Sequence, residues 1–231
     1  MKKFSVFWSM ILFLFLTQCS VNGQTIQPIE RSVGKLQISI DPRMELLASI
    51  HLLSNNRDLA NRDTPYSKDI INYFEDFSTH NAVKLTENLR SFTYDAPVTF
   101  MLYLSQPPEL AQRIEFSDYL LGRSGRSNNL AQYQEAIKQF AKISDFEKFW
   151  NSKISFYNQI LDLTIAEIGK KDLVKVLEDY YNETQGSYNI IITPAFTGGK
   201  GPKIPGSNGK HDIYACISAT NMKNNMGEAV I

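Results

Sequence analysis

The hydrophobic period of this chain changes once, and that change limits what it can fold into. From Asp41 to Tyr181 the apolar residues recur every three or four positions, the spacing of amphipathic helices. After Gly186 they run continuously or alternate, as strands do. Helices followed by strands read as an α+β domain, not as a regular alternation of strand and helix. The expectation is a mostly helical domain with a short N-terminal strand and a C-terminal β-hairpin.

Local signals mark out the elements. Leu36, Ile38 and Ile40 alternate with Gln37 and Ser39, a half-buried strand over residues 35–40. Asp41-Pro42 then starts a helix whose buried stripe is Leu46, Leu47, Ile50 and Leu53. Thr64-Pro65 opens a second, with Tyr66, Ile70, Phe74 and Phe77 on one face. A short helix is expected over residues 82–89, and another from Asp95-Ala96-Pro97 to before Pro107-Pro108. A loop over residues 122–127 precedes Leu130, Tyr133, Ile137 and Phe140 at helical spacing. Ser144-Asp145-Phe146-Glu147 reads as a capping box. It leads into one long helix through Trp150, Ile154, Tyr157, Leu161, Ile165 and Ile168, stopped by Gly169. Leu173, Leu177 and Tyr180 form the last helix. The final strands, residues 188–193 and 212–218, are expected to form a hairpin around a mobile, glycine-rich surface loop from Gly198 to Lys210.

The first residues read as an address. Lys2 and Lys3 precede an apolar stretch from Val6 to Leu16 and the polar run Thr17-Gln18-Cys19-Ser20, the layout of a secretory signal peptide. The stretch is shorter than the roughly 20 residues that span a bilayer. Val21 and Gly23 suit cleavage after Gly23, so the chain is expected to be exported, periplasmic or extracellular. A lipoprotein anchored at Cys19 is the alternative, although Gln18 fits poorly the small residue wanted before a lipidated cysteine. Residues 24–34 read as a linker and residues 35–231 as a single domain. Loss of Lys2 and Lys3 from 24 basic residues leaves 22 against 24 acidic ones. That balance offers no footprint for nucleic acid or an anionic membrane. Cys216 would be the only cysteine left, so no intrachain disulfide can form and stability must come from the core.

Few residues suggest chemistry. The three histidines, His51, His80 and His211, lack metal-ligand spacing, and no His-Glu-x-x-His occurs. His51 is expected at the margin of a buried helix face, His80 in a capping turn, and His211 at the border of loop and strand. Cys216, between Ala215 and Ile217, reads as a buried apolar residue with nothing local to lower its pKa. The loop around Lys200, Lys203 and Lys210 is not a P-loop, but three lysines without an acid could steer an anionic group. Asp41, Arg43 and Glu45 crowd a strand-to-helix junction. Asp41 reads as the cap and Glu45 as a first-turn acid, while Arg43 either bridges the acids or reaches another segment.

Three stretches carry a resemblance. Ile40-Asp41-Pro42-Arg43-Met44-Glu45-Leu46-Leu47 resembles the opening signature of a family of secreted bacterial proteins of unknown function, grouped with the gluzincin-type zinc metallopeptidases. Tyr103-Leu104-Ser105-Gln106-Pro107-Pro108-Glu109-Leu110 is similar to the same family, as is Tyr188-Asn189-Ile190-Ile191 followed by Ile213-Tyr214-Ala215. The resemblance implies a zincin-like scaffold whose last strand leads into a His-Glu-x-x-His helix that binds zinc and activates water. This sequence stops at Gly227-Glu228-Ala229-Val230-Ile231, so a C-terminally truncated domain, non-catalytic as it stands, is expected. No catalytic, metal or cofactor-binding residue carries over, and zinc is expected only with that helix. What carries over is a peptide-binding edge strand, with Asp212, Ile213, Tyr214, Ala215, Cys216, Ile217 and Ser218 as the candidate and an ordinary interior strand as the alternative reading of the same residues. The alternative is a periplasmic or cell-envelope binding module for a peptide or protein partner.

Overall fold

The computed structural model describes residues 24–54, 58–89, 91–125 and 127–219. The segment expected to be a signal peptide, with Cys19, and the terminal run Gly227–Ile231 lie outside the described residues. The described fold is α+β, with helices between an N-terminal strand pair and C-terminal strands. The strands are β1 (Ile29–Val33), β2 (Leu36–Ile40), β3 (Ser187–Thr193), β4 (Gly199–Lys200), β5 (Lys203–Pro205) and β6 (His211–Ser218). The helices are α1 (Pro42–Leu53), α2 (Pro65–Phe74), α3 (Asn81–Asn88), α4 (Ala96–Leu102), α5 (Asp118–Ser124), α6 (Ser127–Ile143), α7 (Phe146–Ser152), α8 (Ile154–Ile168) and α9 (Leu173–Tyr181).

All six strands join one sheet, in the order β1-β2-β3-β6, with β4 and β5 both on the far side of β6. β1 pairs antiparallel with β2 through Gly34-Lys35, where Gly34 takes φ +58°, as a two-residue hairpin turn requires. Residues 29–33, expected in a linker, are therefore a strand. Arg31 ties it to α8 through Asn158 Oδ1 at 2.7 Å.

The expected hairpin is not formed. β3 runs parallel to β2 and β6 runs parallel to β3, with Ser187 opposite Asp212 and Thr193 opposite Ser218. Parallel neighbours need a connection of a dozen or more residues, and residues 194–210 supply it. That connection is built into the fold rather than held as a loose loop. Asn61 N–H donates to Ala195 O at 2.7 Å and Thr197 N–H to Leu59 O at 2.8 Å. The chain then returns antiparallel to β6 as β4 and β5, placing Pro205 at the outer end of β5, where proline is tolerated, and Pro202 between the two strands, where its missing N–H interrupts the ladder.

α1 sits at the centre of the helical layer, against α2, α3 and α4, and every residue from Pro42 to Leu52 is buried. Apolar residues circle it (Met44, Leu46, Leu47, Ala48, Ile50, Leu52), which marks a helix enclosed on all sides instead of one resting on a surface. Glu45, Ser49 and His51 are carried into the interior with it.

Capping signals placed the starts of α1 and α2. The Asp41 carboxylate accepts from the Arg43 amide, and the Thr64 hydroxyl accepts from the Ser67 amide. The box at Ser144–Glu147 is an exception. Asp145 at φ +56°, not Ser144, is the residue before the helix, and the Ser144 hydroxyl has no partner among the described residues, so the box geometry is absent. The long helix expected beyond it divides at Lys153 into α7 and α8. Most of the expected loop over residues 122–127 is helical, since α5 runs to Ser124 and α6 starts at Ser127, and Gly125 takes φ +81° at the end of α5.

Candidate functional site

The strand nominated as a free edge, Asp212 to Ser218, is interior, with β3 on one side and β4 and β5 on the other. Among the described residues the edges of the sheet are β1 and β4–β5, and β4–β5 faces β6 in a single register from Gly199 opposite Ile217 to Pro205 opposite His211. Ser218 N–H donates to Gly198 O at 2.9 Å and Tyr214 N–H to Pro202 O at 3.0 Å. Antiparallel strands alternate the direction of their backbone groups. Residues 198, 200, 202 and 204 therefore turn theirs inward, and Gly199, Gly201 and Lys203 turn theirs away from the sheet. Those three residues are exposed, whereas Pro202 and Ile204 are buried. A Cβ at Gly201 would meet nothing within 4 Å among the described residues, so the fold's own packing does not require glycine there.

A buried ion pair stands at the C-terminal end of β2. Asp41 Oδ1 accepts from the Arg43 amide at 2.8 Å and from its Nε at 3.0 Å, and Oδ2 accepts from Nη2 at 2.6 Å. Arg43 Nη1 donates to Leu104 O at 2.9 Å, and Gln106 Nε2 reaches Asp41 Oδ2 at 3.4 Å. Arg43 thus does both things allowed for it: it bridges an acid, Asp41, and it reaches another segment. The stretches 40–47 and 103–110, which carry the resemblance, meet in this cluster. The same charges act on the neighbouring face of β6. Burial pushes the Cys216 thiol up, Asp41 adds to the rise and Arg43 opposes it. Cys216 is accordingly a protonated, buried thiol, unsuited to nucleophilic attack.

Glu45 is the second surprise of this junction. It is a first-turn acid, as expected, but 0 % exposed. Its Oε2 accepts a hydrogen bond from the Tyr66 hydroxyl, whose oxygen lies 2.6 Å from that of Tyr157. The Trp150 ring packs on Tyr157 at 4.7 Å between centroids. Burial raises the Glu45 pKa to about 8, against the lowering effect of the Tyr66 hydrogen bond and with a further push from Asp41. This carboxyl is enclosed, and among the described residues its only hydrogen-bond partner is the buried Tyr66 hydroxyl. Its role is to link α1, α2 and α8. Only the two tyrosines' helical positions, not their hydroxyl contacts, were apparent from spacing.

The histidines lie apart. His51, 3 % exposed in α1, has no partner for either ring nitrogen among the described residues, and burial lowers its pKa to about 3. His80 caps α3, with Nδ1 accepting from the Ala82 amide at 3.1 Å. His211 opens β6. Among the described residues no three His, Cys, Asp or Glu side chains converge to hold a metal ion. The zinc implied by the resemblance therefore has no donor set within them, and no chemical step is drawn through it. No helix among the described residues is long and apolar enough to cross a membrane.

No curated protein or solved structure is significantly similar to this chain. A family profile does match it over residues 36–231, from β2 through the ion pair and the β4–β5 edge to the C-terminus. The chain therefore belongs to the family described as Domain of unknown function (DUF4932).

Proposed function

We propose that this protein is an exported, metallopeptidase-like scaffold that binds an extended peptide along the β4–β5 edge without cleaving it. Export rests on the layout of residues 1–23, and the metallopeptidase relationship on the three resembling stretches. The observation that carries the binding reading is the outward ladder of Gly199, Gly201 and Lys203, which pairs with no other strand among the described residues. An exposed sheet edge offers main-chain hydrogen bonds to an added strand. Glycine on that edge lets a second backbone come close. Lys203 is exposed beside it, while Lys200 donates to Thr197 O at 3.2 Å and Lys210 to Thr184 Oγ1 at 2.6 Å. The edge thus carries positive charge and favours an acidic peptide. This reading unites the two expectations from sequence, a non-catalytic scaffold and an envelope binding module.

The test is a fluorescence-anisotropy titration with a labelled, acidic, Val/Thr-rich nonapeptide and its lysine-substituted counterpart. The acidic peptide is expected to bind more tightly and to be recovered with its mass intact. Gly201→Val, whose side chain projects into open space, is expected to weaken binding about tenfold while leaving thermal unfolding unchanged. Equal binding by wild type and variant would refute the edge, and peptide fragments in the mixture would refute binding without cleavage.

A further inference from the structure

A second site lies on the helical layer, away from the sheet edge. Asp69, Asn72 and Tyr73 project from one face of α2, at positions i, i+3 and i+4. Phe149 and Ser152 of α7, with Lys153 at its end, repeat that spacing opposite them. Between the two sets is an open cleft of about 390 Å³, at the small end of the range for ligand sites. Its floor is aromatic: the Tyr73 ring, 37 % exposed, packs on the buried Phe149 ring at 5.1 Å between centroids. Its rim is polar and only partly committed. Lys153 Nζ donates to Asp69 Oδ2 at 2.7 Å and lies 5.6 Å from the Phe149 centroid. The Ser152 hydroxyl donates to Phe149 O at 2.6 Å, leaving its oxygen able to accept. Asn72 is exposed.

We infer that this cleft binds a neutral saccharide, one pyranose ring at a time. Asp69 and Lys153 cancel each other's charge, so the site has no net attraction for an anion or a cation. A ligand must instead offer several donors and acceptors at close spacing around an apolar face. Vicinal ring hydroxyls do this, because each can donate to Asp69 while accepting from Lys153 or Asn72. The C–H face of the ring would lie on Tyr73, much as other apolar surface packs on an aromatic ring. The site is wide and shallow, which suits an internal unit of a longer oligosaccharide better than an enclosed small molecule. Neither the edge β4–β5 nor its peptide is involved.

The experiment is a calorimetric titration of the full chain with cellotriose, chitotriose and maltotriose, with glycine and inorganic phosphate as charged controls. Saturable binding of at least one trisaccharide, and of neither control, is expected. Asn72→Ala and Tyr73→Ala should each weaken that binding, Tyr73→Ala by about tenfold. Asn72→Ala guards against misfolding, since the side chain is exposed. Failure of all three trisaccharides to bind, or binding that both variants leave unchanged, would overturn the proposal. Tighter binding of phosphate or glycine would do so as well.

Discussion

Arg43→Met is expected to lower the unfolding free energy by about 3–5 kcal/mol, read from chemical denaturation at pH 7. The loss comes from what the substitution leaves behind. Asp41, buried beside it, loses three side-chain hydrogen bonds from the guanidinium. Leu104 O loses the Nη1 donor that fastens residues 103–110 to the start of α1. Met fills much the same space, so a cavity contributes little. The double variant Asp41→Asn, Arg43→Met is expected to recover part of the loss, because it no longer buries an unpaired charge. Arg43→Lys should fall between, since one ammonium cannot reproduce the forked contact and the carbonyl bond together. A loss below about 1 kcal/mol for Arg43→Met, the range of exposed pairs, would contradict the buried pair.

The stability of the chain should also depend on pH in a way that two residues of α1 determine. Glu45 rises from 4.5 to about 8 on folding, so its contribution is fully present below pH 4.5 and is lost as pH rises towards 8. His51 falls from 6.5 to about 3, so its contribution is fully present above pH 6.5 and is lost as pH drops towards 3. Each slope is about 1.4 kcal/mol per pH unit, and the two are opposite in sign. They cancel between pH 4.5 and 6.5. From these two groups a flat maximum is expected there, with stability falling by about 2 kcal/mol towards pH 8 and by a similar amount towards pH 3. Glu45→Gln should abolish the alkaline limb and leave the acid one. His51→Phe should do the reverse. Denaturation curves at half-unit intervals from pH 3 to 8.5 would show it. An alkaline limb that persists in Glu45→Gln would mean that another group titrates there.

Local chemistry was legible, and long-range pairing was not. Asp41-Pro42, Thr64-Pro65 and the His80 cap were readable because a helix start is decided by a few adjacent residues. The direction of β6 was unreadable for the opposite reason. Alternation of side chains is the same in parallel and antiparallel strands, so Asp212–Ser218 looked like the return arm of a hairpin. β4 and β5 were missed because Gly, Lys and Pro have poor strand propensity, and only their place beside β6 makes them strands. At the ion pair, Asp41 and Arg43 were visible as neighbours, but Gln106 arrives from 65 positions away. The burial of Glu45 and His51 did leave a trace. Met44, Leu46, Leu47, Ala48, Ile50 and Leu52 occupy every side of α1, a pattern that leaves no solvent face for an acid or an imidazole.

The most direct test of the β4–β5 edge is an amide chemical-shift map of the isotopically labelled chain with the acidic nonapeptide. The peptide should shift the amides of Gly199, Gly201 and Lys203 most, with smaller changes along β6. The opposite edge, Ile29–Val33, should stay unmoved. Shifts confined to β1, or a saturated peptide complex with Gly199, Gly201 and Lys203 unchanged, would contradict the assignment of this edge.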